Sequence, residues 1–216
     1  MCFSATASFV AAGTLSAVGI SSISKATKKE LPVACIPLLF GAQQLIDGIV
    51  WITPETALIH HVSVYAYAFF AFIFWPMFTP FALLRIETNE VRRRVLTALL
   101  IVGAGVSGFF IHSILTEGVV SQVLRHCVTY STPHPYELYA LAFYLIAVCG
   151  SFFVSSKGIL RIFGAILLIS FCIAGWFYIE AFSSTWCFFA ALLSVLLLFY
   201  FHTKKFPMKW YKRFSL

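Results

Sequence analysis

Charge is scarce in this sequence: 11 % of its 216 residues are Asp, Glu, Lys or Arg, against ~25 % in an average soluble domain. With 61 % hydrophobic residues and a mean hydropathy of +0.92, that scarcity excludes a soluble globular domain. Metal motifs are missing as well. There is no HExxH, HxxxH or CxxC, so local spacing identifies no zinc site. No internal repeat is visible, which removes support for an inverted-repeat transporter. The start lacks a basic leader region, and its first lysine, Lys25, follows the first apolar stretch, so a retained span is expected and not a cleaved signal. No hydrophobic leader precedes Cys2, which argues against a lipoprotein cysteine. Residue 2 is not Gly, so myristoylation is not expected either.

What the chain has is long apolar stretches. Seven of them, over 3–24, 31–52, 62–84, 95–115, 136–156, 159–179 and 185–202, are each long enough to cross ~30 Å of hydrocarbon at ~1.5 Å per residue. They occupy most of 1–216 and leave room for a single all-α domain. Fourteen of the fifteen Lys and Arg residues fall on alternate loops: Lys25, Lys28 and Lys29, then Arg85 and Arg92 to Arg94, then Lys157 and Arg161, then five after His202. Basic excess marks the cytoplasmic side, so the amino terminus is expected outside and the carboxyl terminus inside. The net charge of +7 therefore sorts by membrane side and forms no nucleic-acid-binding face. The tail with Lys204, Lys205, Lys209, Trp210, Lys212 and Arg213 is expected to anchor on anionic inner-leaflet lipid.

Local patterns refine the bundle. Ser4, Ser8, Ala12 and Ser16 form a smooth stripe on the first helix, and Gly103, Gly105, Ser107 and Gly108 repeat the device on the fourth. Pro76 and Pro80 predict a kink in the inner half of the third helix. The long outer loop has Val120, Val123, Leu124 and Cys127 at helical spacing, which predicts a short interfacial helix over 117–127. Among six cysteines, Cys2, Cys127 and Cys187 lie towards the outer surface. One disulfide there would leave an odd thiol, and the alternative is that they are buried small apolar residues.

Polar chemistry gathers on the outer side. It holds five of six histidines and five of eight acids (Asp47, Glu55, Glu117, Glu137 and Glu180), with Arg125 its one basic residue. Such an electronegative mouth suits a cation. In the second helix Gln43, Asp47 and Trp51 are spaced four apart, and Gln44 is three before Asp47, so all share a face. Asp47 lies roughly five residues, ~7 Å, inside the outer end of its helix. An acid at the bilayer centre costs ~2.5–3.5 kcal/mol and one nearer the interface less, so Asp47 is expected to face the interior. His112 is the histidine placed within a span, and a carbonyl partner is its plainer role. His60 and His61 are expected at a hydrated helix start. Cys2 would offer a free amine and a thiol if Met1 were removed, a chelate for a soft metal.

The opening Met1-Cys2-Phe3-Ser4-Ala5 recurs in an uncharacterised family of bacterial multi-pass membrane proteins, which this chain resembles. The motifs of that resemblance include Gln43-Gln44, Asp47-Gly48 with Trp51, Trp75-Pro76, His126 with Tyr130, and Ser184-Thr185-Trp186-Cys187. It implies placement in the bacterial inner membrane and one outer-facing constellation of Cys2, Gln43, Gln44, Asp47, His126 and Cys187. Relatives often carry Glu at the position of Asp47, so this chain keeps the charge but retracts it by one methylene. Two other seven-helix families do not fit. All eight lysines lie at span ends or in loops, where none can bind retinal, and the last helix has His202 alone where ceramidase-like hydrolases carry paired His.

The leading expectation is an outward-opening pocket lined by Gln43, Gln44, Trp51 and Cys187. Cys2, His112, His126 and Asp47 would hold zinc or copper there, and Asp47 or Glu180 would serve as general base of a metal-dependent membrane hydrolase. The alternatives are a proton- or cation-linked transporter or sensor, and a non-catalytic assembly subunit whose polar residues join helices.

Overall fold

The computed structural model describes residues 4–124, 127–132, 136–177 and 182–203. Its helices are α1 (Ala5–Ile23), α2 (Leu31–Ile52), α3 (Leu58–Ala68), α4 (Trp75–Ile86), α5 (Glu90–Glu117), α6 (Glu137–Val154), α7 (Gly158–Phe177) and α8 (Phe182–Thr203). A π-helical turn, Phe69–Phe74, joins α3 to α4 into one rod, so seven rods make the bundle. Six are long and apolar enough to cross a membrane. The remaining rod, α6, is 18 residues long, and its described apolar stretch is Tyr139–Val154. The tail expected to anchor on lipid lies outside the described residues.

Helix starts follow their caps. Ser4 caps α1 by accepting the Ala7 N–H, and Asn89 caps α5 by accepting that of Arg92. Pro32 sits in the first turn of α2, where its missing N–H costs nothing. Of the small-residue stripe on α1, Ser8 and Ala12 are buried and Ser4 and Ser16 half-buried; Gly19 is buried as well, and α1 packs along α2. A Cβ on Gly19 would lie 2.6 Å from the Leu38 backbone nitrogen, so only glycine permits this approach. On α5 the expectation holds for half the residues. Gly103 and Ser107 are buried, whereas Gly105 and Gly108 face open space.

The proline irregularity lies earlier than expected. The ring of Pro76 crowds the carbonyl four residues back, at Phe72, and the chain relieves this by widening the turn that contains Phe72. Two carbonyls of the widened turn find side-chain donors: the Ser107 hydroxyl donates to Ile73 O (2.7 Å) and the Tyr144 hydroxyl to Ala71 O (2.9 Å). Pro80 likewise leaves the Pro76 carbonyl without its helical donor, and that carbonyl presses on Gly103, where a Cβ would come within 1.9 Å.

Beyond Glu117, the end of α5, the described residues of the segment 117–127 are not helical. Residues Val120–Leu124 (β1) and Cys127–Ser131 (β2) form an antiparallel hairpin, with Val120 opposite Ser131 and Leu124 opposite Cys127. Val120, Val123, Val128, Thr129 and Tyr130 are strand formers, and this preference overrides the apparent helical spacing. A lone hairpin is marginal. This one packs β2 against α8 and buries Cys127, Val128, Thr129 and Tyr130.

At the opposite end of the bundle a second tether forms. Glu87, between α4 and α5, is 4 % exposed. It accepts the N–H groups of Thr88, Asn89 and Ser156 and the Ser156 hydroxyl. Arg92 donates to Val154 O, and Arg93 to Leu84 O and Glu87 O. Burial alone would raise the Glu87 carboxyl, but the Ser156 hydroxyl and the three N–H groups outweigh it and hold it below the ordinary value. The α4–α5 and α6–α7 loops are thereby joined.

Candidate functional site

At the hairpin end, α2 turns Gln43, Gln44 and Asp47 into the bundle, where each is 1 % exposed or less. Helical spacing alone places them on one face; what they meet comes from far along the chain. The Ser8 hydroxyl donates to Asp47 Oδ2 (2.9 Å) from α1, and the Tyr130 hydroxyl donates to Oδ1 (2.9 Å) from β2. Burial and the neighbouring Asp47 carboxylate hold the Tyr130 phenol well above its ordinary pKa, so it stays a donor. The Tyr130 ring stacks on Tyr67 of α3, with centroids 3.9 Å apart and planes at 15°.

One turn deeper, Gln43 Oε1 accepts the Trp75 indole N–H (2.8 Å), and Trp75 stacks on Phe40 at 4.0 Å. Tyr67 and Gln43 both lie beside the Cys187 thiol of α8, which is buried. Below Cys187 a narrow cavity of about 30 Å³ runs between α2, α4, α6, α7 and α8. Phe40, Trp75, Thr79, Tyr144 and Trp186 are among its walls. His60 ties the hairpin down: its Nδ1 meets Thr53 Oγ1 (3.2 Å) and Thr53 O (3.1 Å), and its Nε2 approaches Ser121 Oγ at 3.5 Å. His60 is therefore buried, contrary to the expected hydrated helix start, while His61 is exposed.

The structure brings together three of the expected residues, Asp47, Gln43 and Cys187. Gln44 is buried with its Oε1 unpartnered, and Trp51 is half-buried with its indole N–H unpartnered. His112 does not line this site. It is exposed on α5, a helix that packs on α4 and α6, because the buried face at that level is taken by Phe110 and Ser113. Cys2, His126 and Glu180 lie outside the described residues. Among the described residues no three of His, Cys, Asp and Glu are grouped to hold a metal ion. Cys127 is disulfide-bonded, and Cys187 takes no part in that bond because its thiol is free.

Sequence reasoning passed over Ser8 and Tyr130 as Asp47 ligands, and Tyr67 and Trp75 as site walls. Ser8 was visible only as part of a small-residue stripe. Tyr130 stands 83 residues from Asp47 in sequence, just beyond the segment read as a helix, so no local spacing could pair them.

A family model described as a family of unknown function (DUF6629) matches residues 1–212, and the chain belongs to that family. Nearly the whole chain is covered, as the shared motifs led one to expect. No curated protein and no solved structure matches it.

Proposed function

We propose that this family member is a multi-pass protein of the bacterial inner membrane, amino terminus outside, in which Asp47 takes up a cation from the outer side. The observation that carries this reading is the full burial of the Asp47 carboxylate, which has the hydroxyl groups of Ser8 and Tyr130, from separate elements, among its partners. Helix joining alone needs no charge, and a neutral Asn could serve it without the cost of burying a carboxylate. The simplest cation is a proton.

A proton on Asp47 Oδ2 would turn that oxygen from acceptor to donor, so the Ser8 hydroxyl must turn away. It has somewhere to go, since the Ser4 carbonyl lies 3.3 Å from the same Ser8 oxygen. Tyr130 can keep its bond to Oδ1 throughout. At these two partners, protonation therefore needs one hydroxyl rotation. This favours a proton-linked carrier or sensor.

The stronger form of the reading replaces the proton by zinc or copper. Cys2 and His126 would then join Asp47, the metal would activate water, and Asp47 or Glu180 would act as base. Two measurements on purified protein separate the forms. Infrared difference spectra on acidification should show a carboxylic C=O band that Asp47→Asn lacks, whereas a stoichiometric metal lost in Asp47→Asn and Cys2→Ser would establish the metal form. If Asp47→Asn folds and neither signal depends on it, Asp47 only joins helices.

A further inference from the structure

The sequence has six cysteines, and the fold sorts them. Cys35, Cys149, Cys172 and Cys187 are free thiols, whereas Cys127, at the start of β2, is disulfide-bonded. A bond within the chain needs a second cysteine, and the one that remains is Cys2, which lies outside the described residues. The described chain on either side favours this pairing. Cys2 is two residues before Ser4, the cap of α1, a reach of at most ~7 Å. Both α1 and β2 pack on α8, and Ser8 of α1 and Tyr130 of β2 meet on the one Asp47 carboxylate. The amino end of α1 and the strand that holds Cys127 therefore belong to one corner of the bundle.

We propose that Cys2 and Cys127 form a disulfide that staples the amino end of the chain onto the β1–β2 hairpin. As the S–S bond forms, the two thiols lose two protons and two electrons. An oxidant that itself carries a disulfide takes them up by thiol–disulfide exchange and leaves as two thiols. The staple joins the two elements that bring Ser8 and Tyr130 to Asp47. A lone hairpin is marginal, and a covalent tie restrains it where Tyr130 meets the carboxylate.

Two consequences follow for the molecule. Disulfides persist in oxidising compartments and are rare in the cytosol, which puts the stapled end of the bundle on the outer side by a criterion independent of the basic loops. The bond also takes the Cys2 thiol away from any metal. The staple needs no cation at Asp47, so it stands if the cation reading fails.

The test counts thiols in the full chain, purified from membranes and tagged with maleimide-polyethylene glycol in denaturing detergent, before and after reduction. Wild type should take four tags without reduction and six after it. Cys2→Ser and Cys127→Ser should each take one tag more than unreduced wild type, because each releases the thiol of the other residue. An unreduced tryptic digest should hold the peptide ending at Lys25 joined to the one beginning at His126, and reduction should separate them. The two residues should also act as one on stability. Each single variant should lower the unfolding midpoint by about 5 °C or more, and the double variant by no more than either. Should a variant not fold, the wild-type digest decides. Six tags on unreduced wild type would overturn the proposal. So would a Cys127 peptide joined to any other partner, whether Cys187 or the Cys127 of a second copy.

Discussion

Two buried carboxylates sit at opposite ends of this bundle, and their partners differ in kind. Glu87 is met by four donors, three of them backbone N–H groups of the two loops it joins. Asp47 is met by side-chain hydroxyls from α1 and β2. Backbone N–H groups cannot turn away, so they favour the charged form of Glu87 and hold its carboxyl below the ordinary value, and its role is to hold loops. Hydroxyls rotate, and Ser8 has a second acceptor in Ser4 O. Rotatable donors can follow a change at the group they meet, whereas fixed donors oppose it.

The comparison breaks most visibly at Glu87. Glu87→Ala strands the loop donors and should cost ~3 kcal/mol or more of stability, seen as a lower unfolding midpoint in detergent. The proton-uptake band of Asp47 should persist in that variant. Glu87→Gln sharpens the point through pH. The folded-state pKa of Glu87 lies below its unfolded value, so its stabilisation is present above that unfolded value of ~4.3. It is lost as pH falls through the lower folded value. Wild-type protein should therefore lose stability on acidification over that window, and Glu87→Gln should show a flatter profile.

Asp47→Asn is expected to do the opposite: stability within ~1 kcal/mol of wild type, since the amide oxygen still accepts one hydroxyl, but no acid-induced carboxyl band. Tyr130→Phe should cost ~1 kcal/mol and speed hydrogen exchange in the β1–β2 hairpin, because the phenol ties that hairpin to α2. Ser8→Ala should be the mildest, at ~0.5 kcal/mol, with the uptake band shifted and not lost. An equal loss of stability in Ser8→Ala and Glu87→Ala would erase the distinction between fixed and rotatable donors.

Legibility from sequence followed the range of the signal. Six of the seven apolar stretches became rods long enough to cross a membrane, because hydrophobic length is a local property. The inward face of Gln43, Gln44 and Asp47 was also readable, because helical spacing places all three on one side and the cost of exposing an acid to lipid chooses the side. The hairpin was misread because Val120, Val123 and Leu124 satisfy helical spacing as well as strand preference. The choice between them was made by packing against α8. Glu87 drew no attention because an acid beside a basic loop looks solvated, and only the fold brings Ser156 to it.

The sequence by itself determined the number of rods, the alternation of basic loops and the residues that could not face lipid. These follow from hydrocarbon length and from the free energy of placing charge in it, which act on each segment separately. Only the tertiary structure decided which donors meet Asp47 and that His112 stands away from it. It also set the fit of Gly103 against Pro76 and the slot below Cys187. Those depend on side chains brought together from distant positions, 83 residues apart for Asp47 and Tyr130, and no periodicity within one helix encodes the partner it will meet on another.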